Sequence, residues 1–189
     1  MMKRFGVFIC VMIALSGCGI SKKPYGNPPR AKQDNIRKIN LIIGNYLDKK
    51  EDELRMHLQH TDVTVARFDN CIILILPSHI AFTSNGVDID KNIKPVLTST
   101  AVILSQFKYA SIKVDGHTDS IGTLESNKSL SQKQADILMN YLIQQGVNPK
   151  IISSNGLAYK YPMDTNDTEE GRQRNRRVEI KITSYPIHR

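Results

Sequence analysis

The stretch Asp115-Gly116-His117-Thr118-Asp119-Ser120-Ile121-Gly122 follows an alternating apolar segment and precedes a region with helical spacing of apolar residues. This order predicts a strand that ends in a tight polar loop, followed by a helix that begins at Ser131. Gly116 and Gly122 bracket the loop. We expect one of them to allow a close backbone approach and the other to form a turn with a positive φ angle.

A loop in this position can form a binding pocket. The N-terminus of the helix leaves free backbone N–H groups beside the carboxylate of Asp119. Such a pocket can hold a zwitterion, because the amides bind a carboxylate and Asp119 binds an ammonium group. The alternative is that Asp119 only braces its own loop through hydrogen bonds to the backbone. The loop taken alone favours this second interpretation.

Three separated motifs extend the pattern. They are Gly-His-Thr-Asp-x-x-Gly at 116–122, Asn127-x-x-Leu130-Ser131, and Gly171-Arg172-x-x-Asn175-Arg176-Arg177-Val178-Glu179-Ile180. Together they resemble the OmpA C-terminal (OmpA/Pal-like) peptidoglycan-binding domain over about residues 62 to 183. Three motifs in the right order are a more specific signal than one short motif.

The resemblance implies a ligand, namely the diaminopimelate side chain of the peptidoglycan stem peptide. In this family an Asp pairs with the ammonium group of the ligand, and Asp119 matches it. An Arg pairs with the ligand carboxylate, but the matching position here is Gln134. Arg176 and its neighbours Arg177 and Glu179 are expected mainly to hold the last strand against the 117–122 loop. The positions matched to the binding site are Phe82, at the rim, with Thr118, Asp119, Asn127, Leu130, Gln134, Asn175 and Arg176.

Gln134 leaves three alternatives open. It can donate a neutral hydrogen bond of about 1 kcal/mol in place of a charge-assisted one of about 1.5–3 kcal/mol, which lowers affinity roughly tenfold or somewhat more. Lys128 or Lys133 can replace the charge, without the bidentate geometry of Arg. Finally, Ser131-x-x-Gln134 can form a capping box that occupies Gln134 with its own helix, and binding is then lost.

Composition narrows the function classes. The chain carries a formal charge of +8, but its basic residues are scattered and its aromatic content is only 6%, with no Trp. This argues against a base-stacking platform for nucleic acid. His117 and Asp119 suggest a metal or an acid–base pair, and His57 and His60 a shared metal. No third ligand, nucleophile or second catalytic carboxylate accompanies either pair, so we expect a binding protein, not an enzyme, without metal or cofactor.

Residues 1–17 predict a lipoprotein signal peptide. A basic start precedes the apolar segment Phe5–Leu15, which is too short for a comfortable transmembrane helix. The following Leu15-Ser16-Gly17-Cys18 resembles the lipobox of bacterial lipoproteins, in which cleavage leaves Cys18 acylated. An ordinary signal peptide or a buried first helix are the alternatives. Gly19 implies sorting to the outer membrane, and several acyl chains anchor firmly because each buried CH₂ contributes about 0.8 kcal/mol.

The region after the lipidated cysteine predicts a tether and a helix. Residues 18–32 are rich in Pro, Gly and Lys, as flexible linkers are. Residues 33–60 have apolar residues at helical spacing, and this amphipathic helix can pack on its own domain or on a partner. Cys71 is the thiol left after processing and is expected to be buried and inert.

The remaining pattern predicts an α/β fold, an OmpA-C-like two-layer sandwich in which helices cover one face of a mixed sheet, over residues 62–189. The second strand is expected to be buried on both faces and the last to have one solvated face. The expected elements are a hairpin with strands 63–68 and 72–76, helix 89–107, strand 111–115, helix 131–145, strand 151–157, polar loop 159–174 and strand 178–182.

The resemblances to a lipobox and to the OmpA-like domain imply a lipid-anchored outer-membrane protein whose periplasmic domain binds peptidoglycan and links the membrane to the cell wall. The whole chain also resembles the small OmpA-like lipoproteins of the Dot/Icm type IVB secretion system. That resemblance implies other secretion-system outer-membrane subunits as partners. The alternative is an interaction subunit of the secretion complex that has kept the fold and lost peptidoglycan binding, with Gln134 as the distinguishing residue.

Overall fold

The computed structural model describes residues 30–84 and 86–184. The predicted signal peptide, the lipid on Cys18 and nearly all of the tether lie outside these residues. The elements, in chain order, are α1 (Arg30–Leu58), β1 (Thr64–Phe68), β2 (Cys71–Pro77), α2 (Ser78–Ala81), α3 (Lys94–Ser105), β3 (Ala110–His117), α4 (Leu124–Gln144), β4 (Ile152–Ala158), α5 (Glu169–Asn175) and β5 (Arg177–Ser184).

The five strands form one mixed sheet in the order β1-β2-β5-β3-β4. Only β3 and β4 run parallel, and the other neighbouring pairs are antiparallel. Alternate residues of β2, β3 and β5 point to one face and form a single core with α1, α3 and α4. The predicted α/β fold, with helices on one face of a mixed sheet and an N-terminal helix, is confirmed. The most deeply buried apolar residues of β2, β3 and β5 are Ile72, Leu74, Leu76, Ile112, Val114, Val178, Ile180 and Ile182.

Three burial predictions were wrong. In β2 only alternate residues are fully buried, and Cys71 is half-buried and not enclosed. The strand β5 lies at the centre of the sheet, and its expected solvated face is covered at Arg177 and Glu179, which are 5% and 7% exposed. The covering comes from the segment before α5, because Arg177 Nη2 donates to the carbonyl oxygen of Tyr161 at 3.2 Å.

Helix α4 begins seven residues earlier than predicted, at Leu124. Its N-cap is Thr123, whose Oγ1 accepts a hydrogen bond from Ser126 N at 3.1 Å. Ser131 therefore lies inside the helix and is fully buried. Its hydroxyl donates to Lys128 O and accepts from Ala158 N, both at 3.1 Å. The capping box between Ser131 and Gln134, one of the three alternatives for Gln134, is accordingly absent.

Glycines let α4 lie directly on the sheet. A Cβ atom at Gly116 would lie 2.1 Å from the carbonyl oxygen of Ser131, and one at Gly156 would lie 2.3 Å from Gln132 N. Gly122 turns the chain before the helix with a φ of 91°. Both roles predicted for the glycines that bracket the loop are confirmed, with Gly116 allowing the close approach and Gly122 the turn.

The C-terminal half of α1 packs on its own domain. Leu47, Leu54 and Leu58 belong to the core, and the rings of Tyr46 and Phe107 meet edge to face at 5.8 Å. The preceding part of the helix is more open, with Leu41 and Ile42 each 65% exposed. Across residues 30–84 and 86–184, no helix combines the length and apolarity that a membrane span requires.

Candidate functional site

Asp119 lies almost buried in the loop after β3, with 7% of the residue exposed. Its Oδ1 accepts a hydrogen bond from Ile121 N at 3.0 Å, so the carboxylate does brace its own loop. Its Oδ2 accepts from Arg176 Nη1 at 2.6 Å. The carboxylate is thus held by its own loop through one oxygen and paired with a cation through the other.

The backbone amides of this loop are mostly committed. Thr118 N donates to the carbonyl oxygen of Ala158, and Ser120 N donates to Asn166 Oδ1, both at 3.1 Å. Ile121 N is taken by Asp119 itself. The prediction that free amides of this loop would bind a ligand carboxylate was therefore wrong for these three groups. The cause is the packing of neighbouring segments against the loop. Strand β4 supplies the acceptor for Thr118 N, and the 159–168 segment supplies the acceptor for Ser120 N.

Arg176 links the loop to the helix that precedes β5. Its two terminal nitrogens bind Asp119 and Glu169, each at 2.6 Å. The hydrogen bonds to Glu169 and to Asp119 raise the pKa of the guanidinium above its usual value. Glu169 is largely solvent-exposed, at 59% of its side chain, so this half of the bridge can rearrange more easily than the Asp119 half.

A second ionic cluster lies behind the loop. Glu179 binds Arg177 at 2.7 Å and Lys181 at 2.8 Å, and His117 Nε2 lies 3.7 Å from its Oε2. Burial by itself raises the pKa of Glu179, but His117 and the cations Arg177 and Lys181 outweigh it and hold that pKa well below the usual range. As predicted, the closing motif holds the last strand against the loop through ion pairs.

A groove of about 510 Å³ opens beside Arg176, between α4 and the segment that connects α2 to α3. Gln134 lines it and is only 6% exposed. Within residues 30–84 and 86–184, the side-chain amide of Gln134 makes no hydrogen bond. Gly86 approaches it so closely that a Cβ atom there would lie 3.4 Å from Gln134 Nε2. The groove is lined by Ser78, His79, Phe82, Thr83, Ser84, Gly86, Asp90, Leu130, Gln134 and Arg176.

The structure brings together four of the eight predicted binding residues in this groove: Phe82, Leu130, Gln134 and Arg176. Asp119 joins them through its bond to Arg176. Sequence reasoning missed Ser78 and Asp90. The only signal for Ser78 was its position directly after the strand β2, and Asp90 carried no motif that marked it.

Three predicted residues support the site from behind. Thr118 is 5% exposed, and Asn127 Nδ2 donates to Ile121 O at 2.8 Å. Asn175 is fully buried, and its Oδ1 accepts from the amides of Met163 and Asp164 at 2.7 and 2.9 Å. Its burial leaves it no surface for the ligand contact considered from the sequence, so its role is to hold the loop before α5.

Neither lysine considered as a replacement for the missing Arg faces the groove wall formed by Gln134. Lys128 Nζ donates to the carbonyl oxygen of Gly156 on the sheet. Lys133, which directly precedes Gln134 in α4, is exposed to solvent. In the part of the chain that the structure describes, no three His, Cys, Asp or Glu side chains are grouped as a metal site would require.

Comparison with known proteins identifies the family. The model of the OmpA family matches residues 81–176, slightly more than half of the chain. The chain belongs to the OmpA family. The segment shared with other OmpA family members runs from Ala81 to Arg176 and therefore contains Asp119 and the groove residues Phe82, Leu130 and Gln134.

Individual relatives agree with this assignment. The chain is 36% identical over 163 residues to the probable lipoprotein YiaD of Escherichia coli strain K12, covering 86% of this chain and 74% of YiaD. It is 32% identical over 117 residues to the peptidoglycan-binding protein ArfA of Mycobacterium bovis, covering 62% of this chain but only 36% of ArfA. The solved cell wall anchor of the T6SS from Pseudomonas aeruginosa superposes with a TM-score of 0.62 at 27% identity, covering 70% of this chain and 97% of that one.

Proposed function

We propose that this OmpA domain binds the diaminopimelate-containing stem peptide of peptidoglycan non-covalently and has no enzymatic activity. Relatives named as a peptidoglycan-binding protein and a cell wall anchor support this proposal. The observation that carries it is the rigid, nearly buried carboxylate of Asp119 beside a groove lined by Phe82, Leu130 and Gln134. This arrangement suits a ligand that carries an ammonium group on an aliphatic chain.

Asp119 would bind the ligand ammonium by sharing its Oδ2 atom. Arg176 binds this atom through one terminal nitrogen, and its second terminal nitrogen has a separate partner in Glu169. The guanidinium can therefore move toward Glu169 without losing all of its negative partners. The hydrogen bond from Ile121 N to Oδ1 keeps the carboxylate in place during this exchange.

Co-sedimentation with purified diaminopimelate-type sacculi tests the proposal. We expect the chain from Gly19 onward to pellet, Asp119→Ala to remain in solution because the ammonium acceptor is gone, and Gln134→Arg to bind roughly tenfold more tightly through a charge-assisted bond. Glu125→Ala is the matched control, since it removes an exposed carboxylate from the first turn of α4. Circular dichroism would check that each variant is folded.

The second candidate is an interaction subunit that has kept the fold and lost the ligand. Gln134 favours it, because this residue stands where the family places its carboxylate-binding Arg. The exposed Leu41 and Ile42 of α1 offer a surface for a protein partner. If neither the wild type nor Asp119→Ala pellets while Gln134→Arg does, this candidate replaces the first.

We also propose that the chain is a lipoprotein anchored in the outer membrane through Cys18 and facing the periplasm. The similarity to YiaD, a probable lipoprotein, supports this proposal together with the lipobox-like Leu15-Ser16-Gly17-Cys18. Metabolic labelling with a palmitate analogue is expected to mark the wild type and not Cys18→Ser, with Cys71→Ser as the control that retains the label. Label that persists in Cys18→Ser would contradict the proposal.

A more specific role as the DotK/IcmN lipoprotein of the Dot/Icm type IVB secretion system is part of the same proposal. Its support is the resemblance of the whole chain, with its short lipoprotein layout, its single helix before the domain and Gln134. Contact with the wall would then help to seat the outer-membrane core complex. The absence of core-complex subunits from material purified with the membrane-anchored chain would argue against this role.

A further inference from the structure

The groove wall contains unsatisfied neutral polar groups. Gln134 is 94% buried and faces the groove, and within residues 30–84 and 86–184 its amide has no hydrogen-bond partner. Ser78 lines the same groove, and its buried hydroxyl also has no partner among those residues. Buried polar side chains are nearly always hydrogen-bonded in folded proteins. A ligand that hydrogen-bonds to the Gln134 side-chain amide would therefore satisfy a group that has no partner among these residues, and it would also cover the buried hydroxyl of Ser78.

The charges around the groove disfavour a ligand carboxylate. Arg176 is the one Lys or Arg side chain among the described residues that line it, and Glu169 still pairs with this guanidinium when the ligand ammonium takes its place at Asp119. Asp90 adds a carboxylate to the same wall. A side-chain carboxylate of the ligand would find no guanidinium or ammonium group without a partner in this groove. It would also lie close to the like charge of Asp90, and both effects are unfavourable.

A primary carboxamide fits the same wall. It has an N–H₂ donor and a carbonyl acceptor, and the side chain of Gln134 has the same two groups. The two amides can form a reciprocal pair of hydrogen bonds, and Asp90 can accept a further N–H. A carboxylate has only acceptors, so it can use the N–H₂ of Gln134 but opposes its carbonyl oxygen.

We infer that the groove recognises a primary carboxamide, and that the ligand is a stem peptide whose diaminopimelate side-chain carboxyl is amidated. This inference rests on the proposed function, with Asp119 binding the ammonium group. Gln134, which stands where the family has Arg, then changes the specificity of the site and does not abolish binding.

Calorimetric titration with two synthetic stem peptides tests the inference. The peptides differ only in the diaminopimelate side-chain carboxyl, which is free in one and a carboxamide in the other. We expect the wild type to prefer the carboxamide about tenfold, and Gln134→Arg to prefer the free carboxylate. Gln144→Arg is the matched control, because it adds the same charge to an exposed position of α4.

Gln134→Leu provides a second variant that keeps a buried side chain of similar size. It is expected to bind both peptides weakly and with little preference between them. If the wild type binds the carboxylate as tightly as the carboxamide, or more tightly, the inference is overturned and the proposed function stands. If the wild type binds neither peptide and does not pellet with sacculi, the proposed function itself fails.

Discussion

The Gly116→Ala variant is expected to lose about 3 kcal/mol or more of its free energy of unfolding, because overpacking against immobile backbone is costly. The added Cβ atom would lie 2.1 Å from the carbonyl oxygen of Ser131. This oxygen belongs to the backbone of a helix and cannot rotate away. Helix α4 would have to lift from β3 and strain the bond between Ala158 N and the Ser131 hydroxyl. Urea denaturation followed by circular dichroism would measure the loss.

Gly44→Ala is the matched control for this variant. Gly44 lies in α1, and a Cβ atom there would meet nothing within 4 Å. The same substitution should therefore stabilise the protein by up to about 1 kcal/mol through helix propensity. If the urea midpoint of unfolding of Gly116→Ala equals that of the wild type, α4 does not lie on the sheet as closely as described.

Glu179→Ala is expected to destabilise the protein by about 3–5 kcal/mol, the usual effect of breaking a buried ion pair. The variant leaves Arg177 without its carboxylate partner at 5% exposure. Lys181 loses less, because its ammonium group keeps Asp115 at 3.0 Å. The measurement is the free energy of unfolding at neutral pH, with binding to sacculi recorded separately.

Glu169→Ala is the control for the ionic cluster, because Glu169 also binds two arginines. Its side chain is 59% exposed, so solvent screens its pairs with Arg172 and Arg176. We therefore expect no measurable change in the free energy of unfolding. Equal losses in Glu169→Ala and Glu179→Ala would show that burial does not set the strength of these ion pairs.

Local patterns in the sequence predicted the parts of the site that local physics determines. Alternation of apolar residues located the strand before the loop, and the glycines at 116 and 122 marked the close approach and the turn. The start of α4 was missed because Leu130-Ser131 imitates an N-cap signal. The cap that forms is Thr123, and the hydroxyl of Ser131 is used instead by Ala158 N, a contact 27 residues away that no local pattern encodes.

Burial by distant segments was equally invisible in the sequence. Alternating apolar and charged residues look the same in an exposed strand and in β5, whose charged face is covered through Arg177 and Tyr161. The motif match suggested that Asn175 contacts the ligand. The structure assigns it to the amides of Met163 and Asp164, and this becomes apparent only when the loop before α5 is folded.

The position of β5 also determines when the chain can acquire its structure. This strand is the last one in residues 30–84 and 86–184, yet it joins β2 to β3 at the centre of the sheet. A growing or threading polypeptide that ends before Arg177 has only two separate ribbons, β1-β2 and β3-β4, and a lone two-stranded ribbon is marginally stable in water. Sheet assembly must therefore wait until the final strand has emerged. The two strand pairs therefore become one sheet with one continuous core only when β5 is in place.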